Sequence, residues 1–304
     1  MLFRSNLKEL FCRTNLLSEL NVTQNSNLER LDCSENQLTG INLSENPNLI
    51  FIQCFYNQIE NLDVSNNPNL YYIWCSNNQL TNIDVTQNSL LEWLGISFNE
   101  FTSIDISQNP LIEILSVGNN QLTSLDLTQN IYLKSFSCNN NNITHLDVSN
   151  SLNLDSIDCF DNQLVYLNIN NGNNENIWRM FAYNNTNLEC IQVDDINYAN
   201  SQICDEPNGN GWCKDETATY SEFCELGTED FTKTDFQLFP NPAGNLLNIE
   251  SRENIENVKI YSSQGILLKE VFSKSIDVSQ LSAGMYFAQI TFAGKTFTKK
   301  FIKQ

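Results

Sequence analysis

The sequence predicts a mainly β chain: a solenoid of 21-residue coils, a cysteine-bearing closing segment, and a small C-terminal β-sandwich. Three observations carry this. Apolar and Asn positions recur every 21 residues over roughly the first 190 residues. Cys190, Cys204, Cys213 and Cys224 cluster outside that register. From Asp235 onward Asn becomes scarcer, Lys more frequent, and strand and turn signals alternate at short intervals.

The repeat comes first. Leu28, Leu49, Leu70, Leu91, Ile112, Leu133 and Leu154 are evenly spaced, and so are Leu31, Ile52, Ile73, Leu94, Leu115, Phe136 and Ile157. Asn36, Asn57, Asn78, Asn99, Asn120, Asn141 and Asn162 keep the same step. Each unit reads as a short alternating strand with inward apolar residues (Leu31, Cys33), then an Asn whose amide can satisfy turn backbone. A second alternating segment (Ile41, Leu43) ends at another Asn. No unit can bury its apolar face alone, so the coils must stack. The unit starts at Leu7 and runs about eight times to a two-residue insertion near Gly172; a degenerate coil with Ile177, Met180, Ala182 and Asn185 follows. We expect a short parallel strand on the concave side, an extended segment opposite, and little room for helix. Over residues 1–189 the pattern resembles the leucine-rich-repeat family. Ser5-Asn6-Leu7 aligns with Ser26-Asn27-Leu28, which sets Met1 level with the core residue Val22. Residues 1–6 lack the apolar run of a signal peptide. The expectation is an N-terminally truncated solenoid, with further repeats and a signal sequence upstream.

The cysteines fall into two classes. Cys12, Cys33, Cys54, Cys75, Cys138 and Cys159 share one repeat position, which Ile96 and Val117 fill in two other units. An aliphatic residue does the same job, so these read as reduced, buried small hydrophobes. The run from Leu188 to Asp195 resembles the closing segment of bacterial surface leucine-rich-repeat proteins, which implies a cap over residues 190–226. The four cysteines there allow three pairings. Cys190–Cys224 across the cap and Cys204–Cys213 around the Gly-rich Asn208–Gly211 insertion are favoured. A zinc site is the alternative, although no Cys-x-x-Cys knuckle is present. Disulfides would place the chain in an oxidising compartment.

After a linker at 227–234, residues 235–304 carry six or seven short strands with Gly turns, the pattern of an immunoglobulin-like sandwich. Pro240-Asn241-Pro242, Ile260-Tyr261 followed by Gly265, Gly284 with Tyr286, and the terminal Lys299 to Lys303 occur in that order. This set resembles the type A sorting domain of the type IX secretion system. The resemblance implies a Bacteroidetes-type cell, transit of the periplasm, the secretion machinery and a sortase as partners, and then surface anchoring or release.

Charge narrows the function. The formal net charge is −20; the first 230 residues carry −23 and the last 74 carry +3. Such acidity repels phosphate backbones and anionic lipid, so nucleic acid is not expected as a partner. No stretch is long and apolar enough to be a transmembrane helix. Catalysis needs converging groups of different kinds, and the sequence offers none: His145, the one histidine, sits at a variable surface position. We expect no enzyme, no cofactor and no metal centre. Asp63, Asp84, Asp105, Asp126 and Asp147 form a ladder that reads as turn acceptors, with cation binding the alternative. On the concave strands the outward positions hold Phe51, Phe55, Tyr72, Trp74 and Trp93 in three consecutive coils. An exposed aromatic cluster marks a binding surface. The expected function is an exported binding or adhesion protein with a protein or peptide ligand; a glycan stacking on Trp74 and Trp93 is the alternative.

Overall fold

The computed structural model describes residues 6–224, 236–251, 255–262, 267–292 and 295–304. The chain divides into two compact units between Glu225 and Leu226. The expected linker 227–234 lies outside the described residues.

In the first unit each coil gives three residues to one sheet: β1 (Glu9–Phe11), β2 (Arg30–Asp32), β3 (Phe51–Gln53), β4 (Tyr72–Trp74), β5 (Trp93–Gly95), β6 (Ile114–Ser116) and β7 (Ser135–Ser137). Next come β8 (His145–Asp147), β9 (Ser156–Asp158), β10 (Tyr166–Asn168), β11 (Arg179–Phe181) and β12 (Cys190–Gln192). The helix α1 (Ile196–Ser201) precedes β13 (Cys204–Asp205), β14 (Asn210–Cys213) and β15 (Thr219–Ser221). The concave sheet runs β1-β2-β3-β4-β5-β6-β7-β9-β11-β14-β13, and the opposite face carries β15-β12-β10-β8. Ladders between successive coils are parallel and keep the sequence register, with Leu10 against Leu31 and Leu31 against Ile52. In the earlier coils the convex segments meet through isolated bridges, Asn21 to Asn42 and Gly40 to Asn61. Between the two faces Leu28, Leu31, Cys33 and Leu38 and their counterparts form one continuous buried core.

Asn residues bind coil to coil. Asn99 donates through Nδ2 to the carbonyls of Ile96 (3.0 Å), Ser97 (3.3 Å) and, one coil back, Cys75 (3.1 Å). Its Oδ1 accepts the Leu80 N–H at 3.0 Å. The same set recurs at Asn57, Asn78, Asn120 and Asn141. The residue before each ladder Asn has positive φ, from 51° to 56°. A second ladder, Asn46 to Asn130, ties the other turn: Asn109 donates to the carbonyls of Val85 and Asn88, at 2.9 and 2.8 Å.

The Asp ladder closes turns. Asp63, Asp84, Asp105, Asp126 and Asp147 each accept, through Oδ1, the backbone N–H two residues on. Hydrogen bonds hold the first four carboxyls below their ordinary range. The hydroxyl of Ser65 or Thr86 contributes most at Asp63 and Asp84, and the N–H of Ser107 or Thr128 most at Asp105 and Asp126. Like charges on neighbouring coils oppose this at Asp63 and Asp105. The repeat-position cysteines are free thiols; Cys12 is half-buried and the other five are buried. Burial pushes Cys33 and Cys75 up to about 12, and Cys54, Cys138 and Cys159 also rise.

The insertion after coil eight turns at Gly172, whose φ is 72°. The Asp194 carboxylate accepts the N–H groups of Gly172 and Asn174, both at 2.9 Å, and so anchors this bulge to the cap. Asp195 caps α1 by accepting from Asn197 and Tyr198; this is the one α-helix among the described residues. Trp212 of β14 lies in register with Met180 and donates its indole N–H to the Ile177 carbonyl at 2.8 Å. Tyr198 and Tyr220 meet its ring edge-on, and the three aromatics close the apolar end. Cys190 is bonded to Cys224 and Cys204 to Cys213. With their sulfurs paired, the four cannot act as zinc thiolates.

The second unit holds β16 (Phe236–Phe239), β17 (Leu246–Ser251), β18 (Asn257–Ser262), β19 (Leu267–Val271), β20 (Ser275–Asp277), β21 (Gly284–Phe292) and β22 (Lys295–Lys303). They form two antiparallel sheets, β16-β17-β20 and β19-β18-β21-β22. Leu247, Ile249, Val258, Ile260, Ile290 and Phe301 fill the core of this unit.

Three outcomes follow from these contacts. Asn99→Ala strands several buried backbone groups and should cost about 3 kcal/mol of stability in urea unfolding; a loss below about 0.5 kcal/mol would show that the ladder is dispensable. A carboxyl held low in the folded state adds stability above its unfolded value, near pH 3.9, and that stability is lost as pH falls through the lowered folded value. The urea midpoint should therefore drop below about pH 4. Converting Asp63, Asp84, Asp105 and Asp126 together to Asn should flatten the drop, because Asn21 and Asn42 already accept the same N–H. Thiol alkylation at pH 8 should be slow at Cys33, Cys54, Cys75, Cys138 and Cys159 until the protein unfolds; fast native labelling of Cys75 would contradict its burial.

Candidate ligand-binding site

Strand alternation directs Ile52, Ile73 and Leu94 inward, so their neighbours face the concave side. The register pairs Phe51 with Tyr72 and Tyr72 with Trp93, and sets Gln53 beside Trp74 and Trp74 beside Gly95. Five aromatics from three coils thus become one surface. Phe51 and Tyr72 stack at 4.5 Å, Tyr72 and Trp93 approach to 5.0 Å, Phe55 and Trp74 to 5.1 Å, and Trp74 stacks on Trp93 at 6.3 Å with 22° between planes. Arg30 covers Phe51 and Arg13 covers Phe55, at 4.4 and 4.9 Å from the ring centres.

The five are not equally available. Phe55 and Tyr72 are only 7% and 9% exposed, although neither enters the solenoid core; their neighbours on the patch bury them. Gln53 donates its amide to the Tyr72 hydroxyl at 3.1 Å. Phe51, Trp74 and Trp93 keep more surface. Gly95 makes room for Trp74: a Cβ there would sit 3.1 Å from the indole Cδ1, so the ring lies down on the next coil.

Beyond the aromatics the concave side turns small and polar. Ser97 and Ser116 share a hydrogen bond at 2.8 Å, and Ser137 donates to Asn139 at 2.8 Å. Trp74, Trp93 and these residues line a groove of about 700 Å³. Arg13 is the one fully charged side chain on its wall. Tyr56 and Phe98 also line it, from the turn after the strand. Sequence alternation missed both, because it assigns direction only within strands. Their signal was present: each stands immediately before a ladder Asn, where four other coils carry Asn and the rest Thr, Glu or Asp.

His145 lies on the convex strand β8, exposed and away from the groove. Among the described residues no group of three or more His, Cys, Asp or Glu side chains could hold a metal ion. None of the described helices is long and apolar enough to cross a membrane.

In the second unit the motif residues converge. Asn241, between Pro240 and Pro242, accepts the Ile302 N–H at 2.9 Å; Ala243 donates to the Ile302 carbonyl, and Gln304 donates back to Ala243. Gly284 opens β21, and the Tyr286 hydroxyl closes the preceding loop by donating to the Ser282 carbonyl at 2.9 Å. Tyr286 stacks on Phe301, two positions beyond Lys299 in β22. Gly265 lies outside the described residues.

Residues 237–304 match the family described as the secretion system C-terminal sorting domain. Over 69 residues the chain is 38% identical to beta-agarase D of Zobellia galactanivorans, a match that covers 22% of this chain and 14% of the agarase. The functional domain of InlJ from Listeria monocytogenes, which includes a cysteine ladder, has a TM-score of 0.59 at 22% identity, over 99% of this chain and 77% of that one. The internalin InlF of the same species gives 0.47 at 22% identity, over 69% of this chain and 59% of its own. The likeness to InlJ bears on the fold, and the sorting-domain match bears on destination. This chain is a leucine-rich-repeat solenoid joined to a type IX secretion sorting domain, the build of a Bacteroidetes-type protein exported to the cell surface or the medium.

Proposed function

We propose that this exported chain is a non-catalytic binding protein that captures an extracellular ligand in its concave groove. The observation that carries the reading is the aromatic patch: Phe55, Trp74 and Trp93 line the groove, and Phe51 and Tyr72 stack beside them outside its wall. Large aromatics supply most of the energy in many binding sites, and a contiguous group on a soluble surface seldom lacks a partner. The groove wall carries no carboxylate pair and no nucleophile beside a base, so it offers nothing to move a proton or attack a bond. In this scheme residues 1–189 form the solenoid, 190–226 its cap and 227–234 a linker. Residues 235–304 engage the secretion machinery and a sortase, then leave the mature protein anchored or free. Protein or peptide ligands and glycans both use patches of this kind.

The patch supports a divided test. In the full-length protein, Trp74→Ala with Trp93→Ala should hold the melting temperature within a few degrees. Binding on combined protein and glycan arrays should weaken by about thirtyfold for each ring lost, from about 2 kcal/mol per aromatic anchor. Tyr72→Ala should instead destabilise the fold by about 2 kcal/mol, since its ring is buried. His145→Ala, on the convex side, is the control. A folded double variant with unchanged binding would move the ligand to another face.

A further inference from the structure

We propose that Tyr56 and Phe98 contact the ligand and are kept in an unfavourable backbone conformation for that purpose, and that the ligand is a neutral, hydroxyl-rich saccharide chain. The proposal rests on the concave-groove reading above and names its ligand class.

The first argument is conformational. Every coil holds the residue before its ladder Asn at left-handed φ. After Gly, Asn tolerates this region best, whereas a bulky side chain there is an outlier. Four coils use Asn: Asn77, Asn119, Asn140 and Asn184. In others the side chain is engaged: Thr14 donates to Glu35, and Asp161 accepts from Asn184. Tyr56 and Phe98, at φ 51° and 56°, instead project rings that are 57% and 53% exposed and outside the solenoid core. Tyr56 meets the edge of Phe55 at 5.9 Å, and neither ring joins the buried core. Strain of this kind persists where function selects it.

The second argument is placement. Both rings line the same groove as Trp74 and Trp93. They stand two coils apart, about 10 Å at the spacing of stacked strands, with Asn77 between them. They form a rim beside the aromatic floor.

The third argument is chemistry. In a region carrying −23, the groove wall is almost free of charge. An acidic wall would suit a cationic peptide and a basic wall an anionic polymer; this wall suits neither. Its polar groups are hydroxyls and amides, which both donate and accept, as sugar hydroxyls do. Trp74 lies down over Gly95, its plane within 22° of that of Trp93, so the floor offers ring faces to an apolar C–H face. A peptide adding itself as a strand needs free sheet-edge backbone, and along the groove those groups are used between coils.

The test uses the full-length protein in affinity gels cast with neutral polysaccharides (laminarin, xylan, agarose) or acidic alginate, with thermal melting in parallel. Wild type should be retarded by a neutral polysaccharide and not by alginate. Tyr56→Asn with Phe98→Asn should raise the melting temperature by about 2–4 °C and weaken that retardation at least about tenfold. Tyr56→Phe with Phe98→Tyr, which keeps both rings, should bind like wild type. Unchanged binding by the Asn variant, or a lower melting temperature, would overturn the role given to the two rings. Retardation by none of the neutral polysaccharides, alongside protein binding that depends on Trp74 and Trp93, would overturn the saccharide and leave the concave site standing. Binding indifferent to Trp74→Ala with Trp93→Ala would remove the concave site itself.

Discussion

Everything in the solenoid depends on one side-chain amide per coil. The ladder Asn has two N–H groups and a carbonyl, and it uses them to close its own turn and to grip the coil before it. No other side chain of that length offers donors and an acceptor in one plane. Because the grip reaches both back and within, each coil must repeat the turn of its neighbour, including the left-handed residue. That demand fixes the 21-residue step. The second ladder is less complete: the Oδ1 atoms of Asn46, Asn67, Asn88, Asn109 and Asn130 have no hydrogen-bond partner in the protein. Turning those amides over would satisfy no more, since two donors would then be orphaned in place of one acceptor. The asymmetry of one unmet oxygen against two unmet N–H groups sets the orientation.

A rigid backbone repeat frees the outward positions to vary. Inward, the chain accepts Cys, Ile or Val at one site because only volume and apolarity matter there. Outward, successive coils bring their side chains about 4.8 Å apart, so residues far apart in sequence become a surface. That is how Phe51, Tyr72 and Trp93, each one coil from the next, come to form a stack. The same step builds the Asp ladder, where turn hydrogen bonds hold the carboxylates against mutual repulsion. Acid lies on these turns, while the groove wall stays nearly neutral.

Legibility in the sequence followed periodicity. The strands, their register, the buried thiols and the aromatic patch were all readable because each recurs with the coil. What needed three dimensions was lateral packing. Alternation shows that Phe55 and Tyr72 leave the core, but not that Trp74 and Trp93 then bury them. It gives no reason for Gly95, which is explained by an indole from the coil before. Trp212 was hidden for another cause: it continues the ladder from a loop of irregular length, so no spacing announces that it sits on Met180. Tyr56 and Phe98 were hidden from alternation in turns, where parity carries no meaning; their place before the ladder Asn marks them in the sequence, and the backbone angle shows what is unusual there.

The second unit obeys a different logic, and its motif is spread along the sequence for a geometric reason. Pro-Asn-Pro sits at its beginning and the Lys-rich strand at its end, yet Asn241 accepts the N–H of Ile302, 61 residues away. Tyr286 joins the same end of the fold by stacking on Phe301. The first and last segments therefore form one contact, added to the ladder that joins the last strand to β21. In the terminal strand Phe301 points to the core and Ile302 outward, while Lys303 buries its stem. Tying the last strand to the domain's opening turn brings the two ends of the motif together. Order along the chain, the feature that first marked these residues as a set, is thus the linear trace of a closed contact.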